Sequence, residues 1–324
     1  MSEPRLAIVI VNYATAALAV DCLRSLATER ERDPAMASRW HVVVADNASP
    51  DDSADVLEKA VSDNGWGAWC RVARLPRNGG FAYGNNAVIA PSLAARDGTT
   101  HFWLLNPDTT VRPGSVSELM SYLSREDSAA IVGTRVENPD GSLRRSAFRF
   151  PTALGELEAA LAFGPVSRLL SRWVIAPPDV AAGAAVDWAS GASLVVRRAV
   201  LEECGLLDEG FFMYYEETDL CRRARQRGHQ CVYLGKAPVV HLVGQASGVT
   251  AAATRTTKRR PSYWFESRRR YFVKHHGLLY ALFADVCWVV GLLVGRGLAW
   301  LRRKPWGQPP GLVPDLIRVC YWKV

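Results

Sequence analysis

The sequence predicts an α/β fold with a mostly parallel central sheet flanked by helices. Two observations carry this prediction. Apolar runs of strand length occupy residues 6–11, 41–45, 70–75 and 101–105. Each is followed by a polar or glycine-rich turn and a helical stretch, where apolar residues recur about every 3.6 positions, at 15–29, 51–63 and 80–95. In open sheets of this kind ligands bind beyond the carboxyl ends of the strands, so we expect the site there.

Length and composition are those of an ordinary globular chain. The 324 residues are 49% hydrophobic and 22% charged, which is enough to bury a large core and too apolar for a disordered chain. The seven cysteines are odd in number and include no Cys-x-x-Cys pair. This pattern favours a reducing compartment over a disulfide framework or a zinc ribbon.

The net charge of +7 is unevenly distributed along the chain. Residues 255–304 carry +10 and the last twenty +1, so residues 1–254 carry −4. The basic character therefore belongs to the C-terminal segment, which argues against a nucleic-acid-binding body. Residues 6–11 are too short for a secretory signal, and we expect a cytoplasmic main domain.

The C-terminal segment differs in kind from the rest of the chain. An aromatic and basic stretch, 263–272, precedes an apolar run, 277–301, in which Asp285 and Arg296 leave at most ten consecutive uncharged residues. A membrane-spanning helix needs about 20 mostly apolar residues. We therefore expect one helix or a helix pair lying at a membrane surface through residues 255–304, with basic side chains at anionic headgroups. The alternative is a helical hairpin packed on the main domain.

Polar residues end the first two predicted strands. Val11, Asn12 and Tyr13 close the first, and Asp46 and Asn47 close the second. Neighbouring strand ends of this kind make a shelf on which a planar base can lie, with a carboxylate to accept a base N–H. The alternative is that Asp46 and Asn47 only shape a turn and cap the next helix.

A glycine-rich loop follows the third predicted strand. Gly79 and Gly80 begin a helix, where backbone N–H groups and the helix dipole favour an anionic ligand. The side-chain amides of Asn78, Asn85 and Asn86 add contacts suited to sugar hydroxyls or a diphosphate. The loop has neither the Walker nor the dinucleotide glycine pattern, and a ligand-free turn is the alternative.

The fourth predicted strand delivers Asn106-Pro107-Asp108 to the same edge. Asp108 is a candidate ligand for Mg²⁺ or Mn²⁺, cations that need few protein carboxylates when phosphate oxygens complete their coordination. A type I turn with Pro107 at its second position explains the same residues. His241 follows a later strand-like run and precedes a Gly/Ser loop, so it is a candidate to close a metal or diphosphate site. The alternative is that this single histidine is a surface or core residue without a ligand.

An acidic cluster opens a predicted helix at 216–227. Glu216, Glu217 and Asp219 lie within four residues, and their mutual repulsion raises the pKa of at least one, as a general base requires. The alternative is an acidic first turn that complements the helix dipole, with Asp219 paired to Arg222 or Arg223. We expect both to hold, with Glu217 in the cleft and Asp219 structural.

In this order the segments resemble family-2 glycosyltransferases of the GT-A fold, especially bacterial rhamnosyltransferases. The likeness runs from about residue 6 to residue 247. It rests on Val9-Ile10-Val11-Asn12-Tyr13, Asp46-Asn47-Ala48-Ser49, Asn78-Gly79-Gly80-Phe81-Ala82-x-Gly84-Asn85-Asn86, Leu105-Asn106-Pro107-Asp108 and Phe211-Phe212-Met213-Tyr214-x-Glu216-Glu217-x-Asp219-Leu220. Five motifs in order are far more specific than any one.

The resemblance implies a role for each motif. It implies that Asp46 binds the nucleotide base and that Asp108 holds a divalent cation on the donor diphosphate. It also implies that His241, late in the chain, binds the metal or the diphosphate. Asn106 stands where the family has the first acid of Asp-x-Asp. Glu217 replaces the aspartate of the family's Glu-Asp pair and becomes the expected base, although either Glu216 or Glu217 could act.

The resemblance also implies an activity. We expect inverting transfer of one sugar, L-rhamnose from dTDP-L-rhamnose, to a hydroxyl of a polyprenyl-diphosphate-linked saccharide in cell-surface polysaccharide biosynthesis. The enzyme would lie peripherally on the inner face of the cell membrane. Residues 1–254 would form the catalytic domain, with a nucleotide-binding half to about 112 and an acceptor half from 113, and 255–324 the membrane-associating segment.

Two other functions remain open at this stage. A nucleotidyltransferase also joins a nucleotide shelf to a metal carboxylate, but it predicts a glycine-rich basic loop after the first strand, which residues 12–16 lack. A catalytically silent, membrane-associated nucleotide-binding scaffold would need neither a metal nor a base.

Overall fold

The computed structural model describes residues 3–126, 129–242 and 259–322. Within these ranges the strands are β1 Leu6–Asn12, β2 Trp40–Asp46, β3 Cys70–Arg74, β4 His101–Leu105, β5 Thr109–Val111, β6 Ala129–Gly133, β7 Val136–Glu137, β8 Leu143–Arg144, β9 Ala147–Phe148, β10 Ala184–Val186, β11 Trp188–Ala189, β12 Ser193–Arg197, β13 Gln230–Tyr233 and β14 Val239–His241. The helices are α1 Ala16–Arg32, α2 Pro34–Ala37, α3 Ser53–Asp63, α4 Gly80–Ala95, α5 Ser115–Arg125, α6 Ala153–Leu161, α7 Gly164–Leu169, α8 Arg198–Cys204, α9 Glu216–Gln226, α10 Ser262–His276, α11 Leu278–Leu301 and α12 Leu312–Cys320.

A central sheet of eight strands organises the chain, in the order β10-β13-β6-β12-β4-β1-β2-β3. Four of its seven pairings are parallel, which confirms the predicted α/β class. The predicted strands and helices of the first hundred residues match the observed ones to within three residues at each end. The order reverses between β1 and β4, which places the switch point beside the carboxyl ends of these two strands.

Strand β12 runs antiparallel between β4 and β6, with Ser193 opposite Leu105. The sequence pattern did not indicate this insertion, because buried strands of either direction read as the same apolar run. A second sheet, β5-β14-β7-β8, lies beyond the end of β4. In it His241 pairs with Thr109, so a residue far along the chain returns to the end of the fourth strand.

Apolar side chains fill both faces of the central sheet. On one face Ile8 and Ile10 of β1 pack with residues of α1, α3 and α5. On the other, Val9 packs with residues of α4, α8 and α9. The alternate residues of β1 are buried on opposite sides, as a strand in the middle of a two-sided core requires. All seven cysteines are unpaired thiols.

The C-terminal helices pack on the main body through α6. Helix α11 continues unbroken past both Asp285 and Arg296. Gly291 lies so close to α6 that an added Cβ would meet the Leu157 carbonyl oxygen at 2.8 Å, which explains why glycine is needed there. One face of α11 is therefore packed on the domain, as the hairpin alternative expects.

The opposite face of α11 is apolar and exposed. It presents Leu279, Phe283, Val286, Val290 and Leu293, which are between 46% and 83% exposed and recur at helical spacing. Within the described ranges, α11 is the one helix with the length and composition of a membrane span. Membrane association stays a prediction.

The expected domain boundary at 254/255 and the Gly/Ser loop after His241 lie outside the described residues. The expected division of the catalytic domain at 112/113 also stays a prediction.

A buried ion cluster joins α10, α11 and α6. The Arg268 side chain is fully buried, its Nε donates to Glu156 at 2.7 Å, and its guanidinium also contacts Asp285. Asp285 accepts a further bond from Arg269 at 3.2 Å. The carboxylate that makes membrane insertion of this segment costly is thus neutralised inside the protein.

Replacing Arg268 with methionine should lower the free energy of unfolding by about 3–5 kcal/mol, because the buried Glu156 loses its counter-charge and the buried Asp285 keeps only Arg269. Chemical denaturation measures this change. As a control, Arg24→Met removes an ion pair with Asp21 in which Arg24 is 62% exposed, and should cost about 0–1 kcal/mol. Equal effects of the two substitutions would contradict the assignment of Arg268 to the core.

Candidate functional site

The ends of β1 and β2 meet in a hydrogen-bonded cluster. Asn12 and Asp46 are paired in register and both are buried. Asn12 Nδ2 donates to Asp46 Oδ1 at 2.8 Å, and the hydroxyl and backbone N–H of Ser49 donate to the same carboxylate at 2.6 and 3.1 Å. Asp46 thus shapes the turn that the alternative interpretation expects, while Tyr13 beside it is 41% exposed at the rim. A role in base binding stays a prediction.

Side-chain amides hold the glycine-rich loop in place. Asn47 Nδ2 donates to Asn78 Oδ1 and to the Gly80 carbonyl, both at 3.0 Å, and Asn78 Oδ1 also accepts from the Gly80 N–H. The loop is therefore tied to the end of β2, beside Asp46. Gly80 has φ of +85°, and an added Cβ would lie 1.9 Å from the Phe212 carbonyl oxygen. Only glycine fits where the loop meets the segment before α9.

The two asparagines inside α4 serve different purposes. Asn86 is a structural clamp, since its Nδ2 donates to the Leu207 carbonyl at 2.8 Å and its Oδ1 accepts from the Leu207 N–H at 3.1 Å. Asn85 Nδ2 donates to the Phe81 carbonyl one turn earlier, while its Oδ1 is buried without a partner. A buried acceptor of this kind is costly unless a ligand or water satisfies it.

Asp108 and His241 come together after β4, as predicted for a shared site. The His241 Nε2 atom lies 3.1 Å from Asp108 Oδ1 and 3.4 Å from Asn106 Nδ2. Asp108 is almost completely buried. Its backbone carbonyl accepts from Leu242, which fixes the segment beyond β14. Among the described residues, no three His, Cys, Asp or Glu side chains cluster as a metal site, so this pair would need ligands from a substrate.

Glu216 and Glu217 begin α9 with both carboxylates shielded from water. The Oε2 atom of each is buried without a hydrogen-bond partner. Burial raises the pKa of Glu216 well above its ordinary value, and the adjacent Glu217 charge raises it further. Burial also raises the pKa of Glu217, although backbone hydrogen bonds oppose this. Because the Glu217 charge acts on Glu216, we infer that Glu217 loses its proton first and Glu216 stays protonated.

The backbone before these acids is strained. Tyr214 and Tyr215 both have φ of +71°, a left-handed conformation that non-glycine residues rarely adopt. Tyr215 caps α9, and its carbonyl accepts the Asp219 N–H at 2.8 Å. Strain of this kind persists only where surrounding contacts impose it, and it occurs often at functional sites.

Asp219 has a structural role, as expected. Its carboxylate accepts from Arg223 Nε at 2.8 Å and from His275 Nε2 at 2.8 Å, and Lys274 Nζ lies 2.7 Å away. Although burial opposes ionisation, hydrogen bonds from His275 and Lys274 and the Arg223 charge hold the Asp219 pKa well below its ordinary value. Of the two predicted partners, Arg223 is the one that contacts Asp219. No local pattern in the sequence indicated the partners from α10.

The loop between β11 and β12 connects the acids to the strand ends. The Gly191 N–H donates to Glu217 Oε1 at 3.4 Å, and the Ala192 carbonyl accepts the Asn106 N–H at 3.1 Å. A Cβ on Gly191 would also lie 3.5 Å from the Phe81 ring. Glu217, the glycine-rich loop and the Asn106–Asp108 segment are therefore joined through one short loop. Sequence reasoning missed Gly191, although the small-residue run Ala189-Ser190-Gly191-Ala192-Ser193 marks a close approach.

The chain is similar in sequence to known glycosyltransferases. The family model described as glycosyltransferase like family 2 matches residues 4–272. An N-acetylglucosaminyl-diphospho-decaprenol L-rhamnosyltransferase of Mycobacterium tuberculosis is 29% identical over 258 residues, covering 76% of this chain and 78% of that protein. The rhamnosyltransferase WbbL of Escherichia coli is 23% identical over 166 residues, which cover 50% of this chain and 60% of WbbL.

Solved structures show the same architecture. A mannosyltransferase, PcManGT, from Pyrobaculum calidifontis, solved with GDP-Man and Mn²⁺, superimposes with a TM-score of 0.58 at 12% sequence identity. The match covers all of this chain and 89% of that one. At this identity the similarity establishes the fold, which is GT-A. With the family model matching most of its length, the chain belongs to glycosyltransferase family 2 and is similar to its rhamnosyltransferases.

Proposed function

We propose that the protein is an inverting glycosyltransferase that moves L-rhamnose from dTDP-L-rhamnose to a hydroxyl of a lipid-linked saccharide in cell-surface polysaccharide biosynthesis. The observation that carries the proposal is the connection of Glu217, one of two adjacent buried acids, to the Asn106–Asp108–His241 segment through the Gly191 loop. This connection supports a base and a leaving-group site at one edge of the sheet. The names of the relatives in Mycobacterium tuberculosis and Escherichia coli support rhamnose as the sugar, and the first of these names supports a lipid-linked acceptor. The dTDP carrier is part of our proposal.

The nucleotide would lie at the ends of β1 and β2. Tyr13 at the exposed rim would offer a surface for the base, with the buried Val11 and Asn12 behind it and Asp46 and Asn47 at the same edge. Gly79 and Gly80 would bring the N-terminus of α4 to the diphosphate. Asn85, whose buried Oδ1 has no partner, is suited to accept a hydrogen bond from a donor hydroxyl.

Asp108 and His241 fit a divalent cation. Carboxylate and imidazole are ligands that Mn²⁺ accepts, and the two side chains already converge on one another. With only two such protein ligands, diphosphate oxygens would complete the shell, as is usual for Mg²⁺ and Mn²⁺. When bound, the cation would offset the negative charge that gathers on the departing diphosphate. Asn106 would orient His241 from 3.4 Å.

Glu217 is the proposed base. Its carboxylate takes the proton of the acceptor hydroxyl, whose oxygen then forms a bond to the anomeric carbon. The bond from that carbon to the diphosphate oxygen breaks, and its electron pair leaves with the nucleoside diphosphate. One displacement of this kind inverts the anomeric centre. Glu216, protonated beside it, keeps a second negative charge away from the base.

The proposed acceptor would be reached at a membrane surface. The exposed apolar face of α11 lies on the same segment as Arg296, Arg302, Arg303 and Lys304. An apolar helix face with basic residues close by is suited to an interfacial position on anionic lipid. We therefore propose that the enzyme is peripheral on the inner face of the cell membrane.

The first test is transfer by the purified protein. With Mn²⁺ or Mg²⁺, we expect rhamnose transfer from dTDP-L-rhamnose to a GlcNAc-diphosphate lipid, little transfer from UDP-glucose, and loss of transfer on chelation that added Mn²⁺ restores. Asp108→Asn should weaken Mn²⁺ binding measured by electron paramagnetic resonance, because it removes the charged ligand, whereas Asp21→Asn on the surface should not. If the wild-type protein neither bound Mn²⁺ nor hydrolysed the donor, the result would favour the catalytically silent scaffold.

The second test separates the two glutamates. Glu217→Gln should lower kcat by about 10²–10⁴-fold, because it removes the base. Glu216→Gln should retain most activity, because glutamine mimics the protonated acid. In the wild type, kcat should fall on acidification at a pH above the ordinary glutamate pKa of about 4.3, since burial raises the Glu217 pKa. The reverse ranking of the two variants would assign the base to Glu216.

The third test concerns α11. Substituting Phe283, Val286 and Val290 together with glutamine should weaken co-sedimentation with anionic phospholipid vesicles, because the side chains that would enter the interface are lost. Leu169→Gln, at an even more exposed apolar residue of α7, is the control and should bind as the wild type does. Unchanged binding by the triple variant would show that α11 does not contact lipid.

A further inference from the structure

Arg260 differs from the other arginines around α10. Arg259, Arg268, Arg269 and Arg270 each pair with a carboxylate of the main body or of the C-terminal helices. For Arg260, no carboxylate of the described residues lies within ion-pair distance, and its Nε atom is shielded from solvent without a hydrogen-bond partner. Its guanidinium lies over the Trp264 ring, 4.1 Å from the centroid. Arg260 is half-buried, and an N–H donor shielded from water without an acceptor is costly to maintain.

Arg260 precedes an aromatic cluster that reaches the segment before α9. Tyr263, three residues further along the chain, stacks on Tyr214 with ring centroids 6.1 Å apart and contacts Phe212 at 5.3 Å. Burial lowers the pKa of the Arg260 guanidinium, and the ionisable groups close enough to raise it are Tyr215, Tyr214 and Glu156. Of these, Glu156 is already bound by Arg268.

The aromatic cluster Phe212, Tyr214 and Tyr263 is bonded to the glycine-rich loop and adjoins the acids in sequence. The Phe212 carbonyl accepts the Phe81 N–H at 2.8 Å, and Tyr214 lies two residues before Glu216. Aromatic faces suit the apolar faces of sugar rings, while a planar guanidinium suits bidentate binding of phosphate. The cluster is thus a surface on which a phosphorylated saccharide could lie beside the base.

We propose that Arg260, with Tyr214 and Tyr263, binds the diphosphate group of the lipid-linked acceptor. This inference rests on the proposed function and specifies its acceptor subsite. A diphosphate is present in both substrates, but the donor diphosphate already has a proposed site at Gly80, Asp108 and His241. Arg260 lies instead in the segment that leads into α10. The Trp264 ring below it contacts Trp288 of α11, the helix that carries the apolar face.

The experiment compares Arg260→Gln with Arg259→Gln in the full-length protein. Arg259 is the matched control, because it is adjacent in sequence, 59% exposed and paired with Asp315. Two acceptors are used, a GlcNAc-diphosphate prenyl lipid and the same sugar as an uncharged alkyl glycoside. For Arg260→Gln we expect the KM of the diphosphate acceptor to rise on the order of ten- to a hundredfold, with kcat and the KM of the neutral acceptor unchanged.

Each other result overturns the assignment. A rise in the donor KM or a change in donor hydrolysis would assign Arg260 to the donor diphosphate. An equal rise for both acceptors would show that no diphosphate is recognised, and no change in either would remove Arg260 from the site. A lower melting temperature of Arg260→Gln with unchanged KM values would give Arg260 a structural role. Our proposal expects an unchanged or higher melting temperature, because the substitution breaks no ion pair.

Calorimetry with the diphosphate lipid alone keeps the inference separate from the proposed transfer. Binding that Arg260→Gln weakens and Arg259→Gln does not would support the subsite even if no sugar were transferred. Binding that is equal in the wild type and in both variants would overturn it even if transfer were observed.

Discussion

The attachment of α9 to α10 through Asp219 is the constraint on which the site depends. A buried carboxylate held by Arg223, Lys274 and His275 fixes the first turn of α9. The same turn carries Glu216 and Glu217, whose side chains are desolvated, and it follows two tyrosines in a left-handed conformation. Desolvated acids and strained backbone both raise the free energy of the folded state, so they need a strong anchor nearby.

This anchor ties the C-terminal helices to the candidate site. Lys274 also binds Asp208 at 2.7 Å, so one lysine connects α10 both to α9 and to the segment that precedes it. Asp208 lies close in sequence to Leu207, which Asn86 of α4 clamps. The glycine-rich loop, the acids and the basic segment are thereby coupled, although they read as separate features in the sequence.

The sequence predicted what local patterns encode. The strands β1 to β4, the helices between them and the polar residues at their ends follow from apolar periodicity and turn chemistry, and ordered motifs pointed to the correct family. Long-range contacts have no such signature. The antiparallel insertion of β12, the approach of Gly191 to Glu217 and the binding of Asp219 by α10 each join segments more than 25 residues apart. Asp285 illustrates this limit of sequence-based prediction. A carboxylate in an apolar run is costly to bury, and the sequence pattern does not reveal that Arg268 pairs with it.

The asparagines of the glycine-rich loop show why motif residues are hard to assign to roles from sequence. Asn47 and Asn78 bond to each other and to the loop backbone, and Asn86 clamps a distant segment, while only Asn85 keeps a buried acceptor free of any partner. The same reasoning separates Arg260 from its neighbours on the basic segment. Charged and amide groups whose bonds are all made within the protein maintain the shape of the site. Asn85 and Arg260 each keep a buried atom without such a bond, and these are the two residues for which we propose a substrate contact.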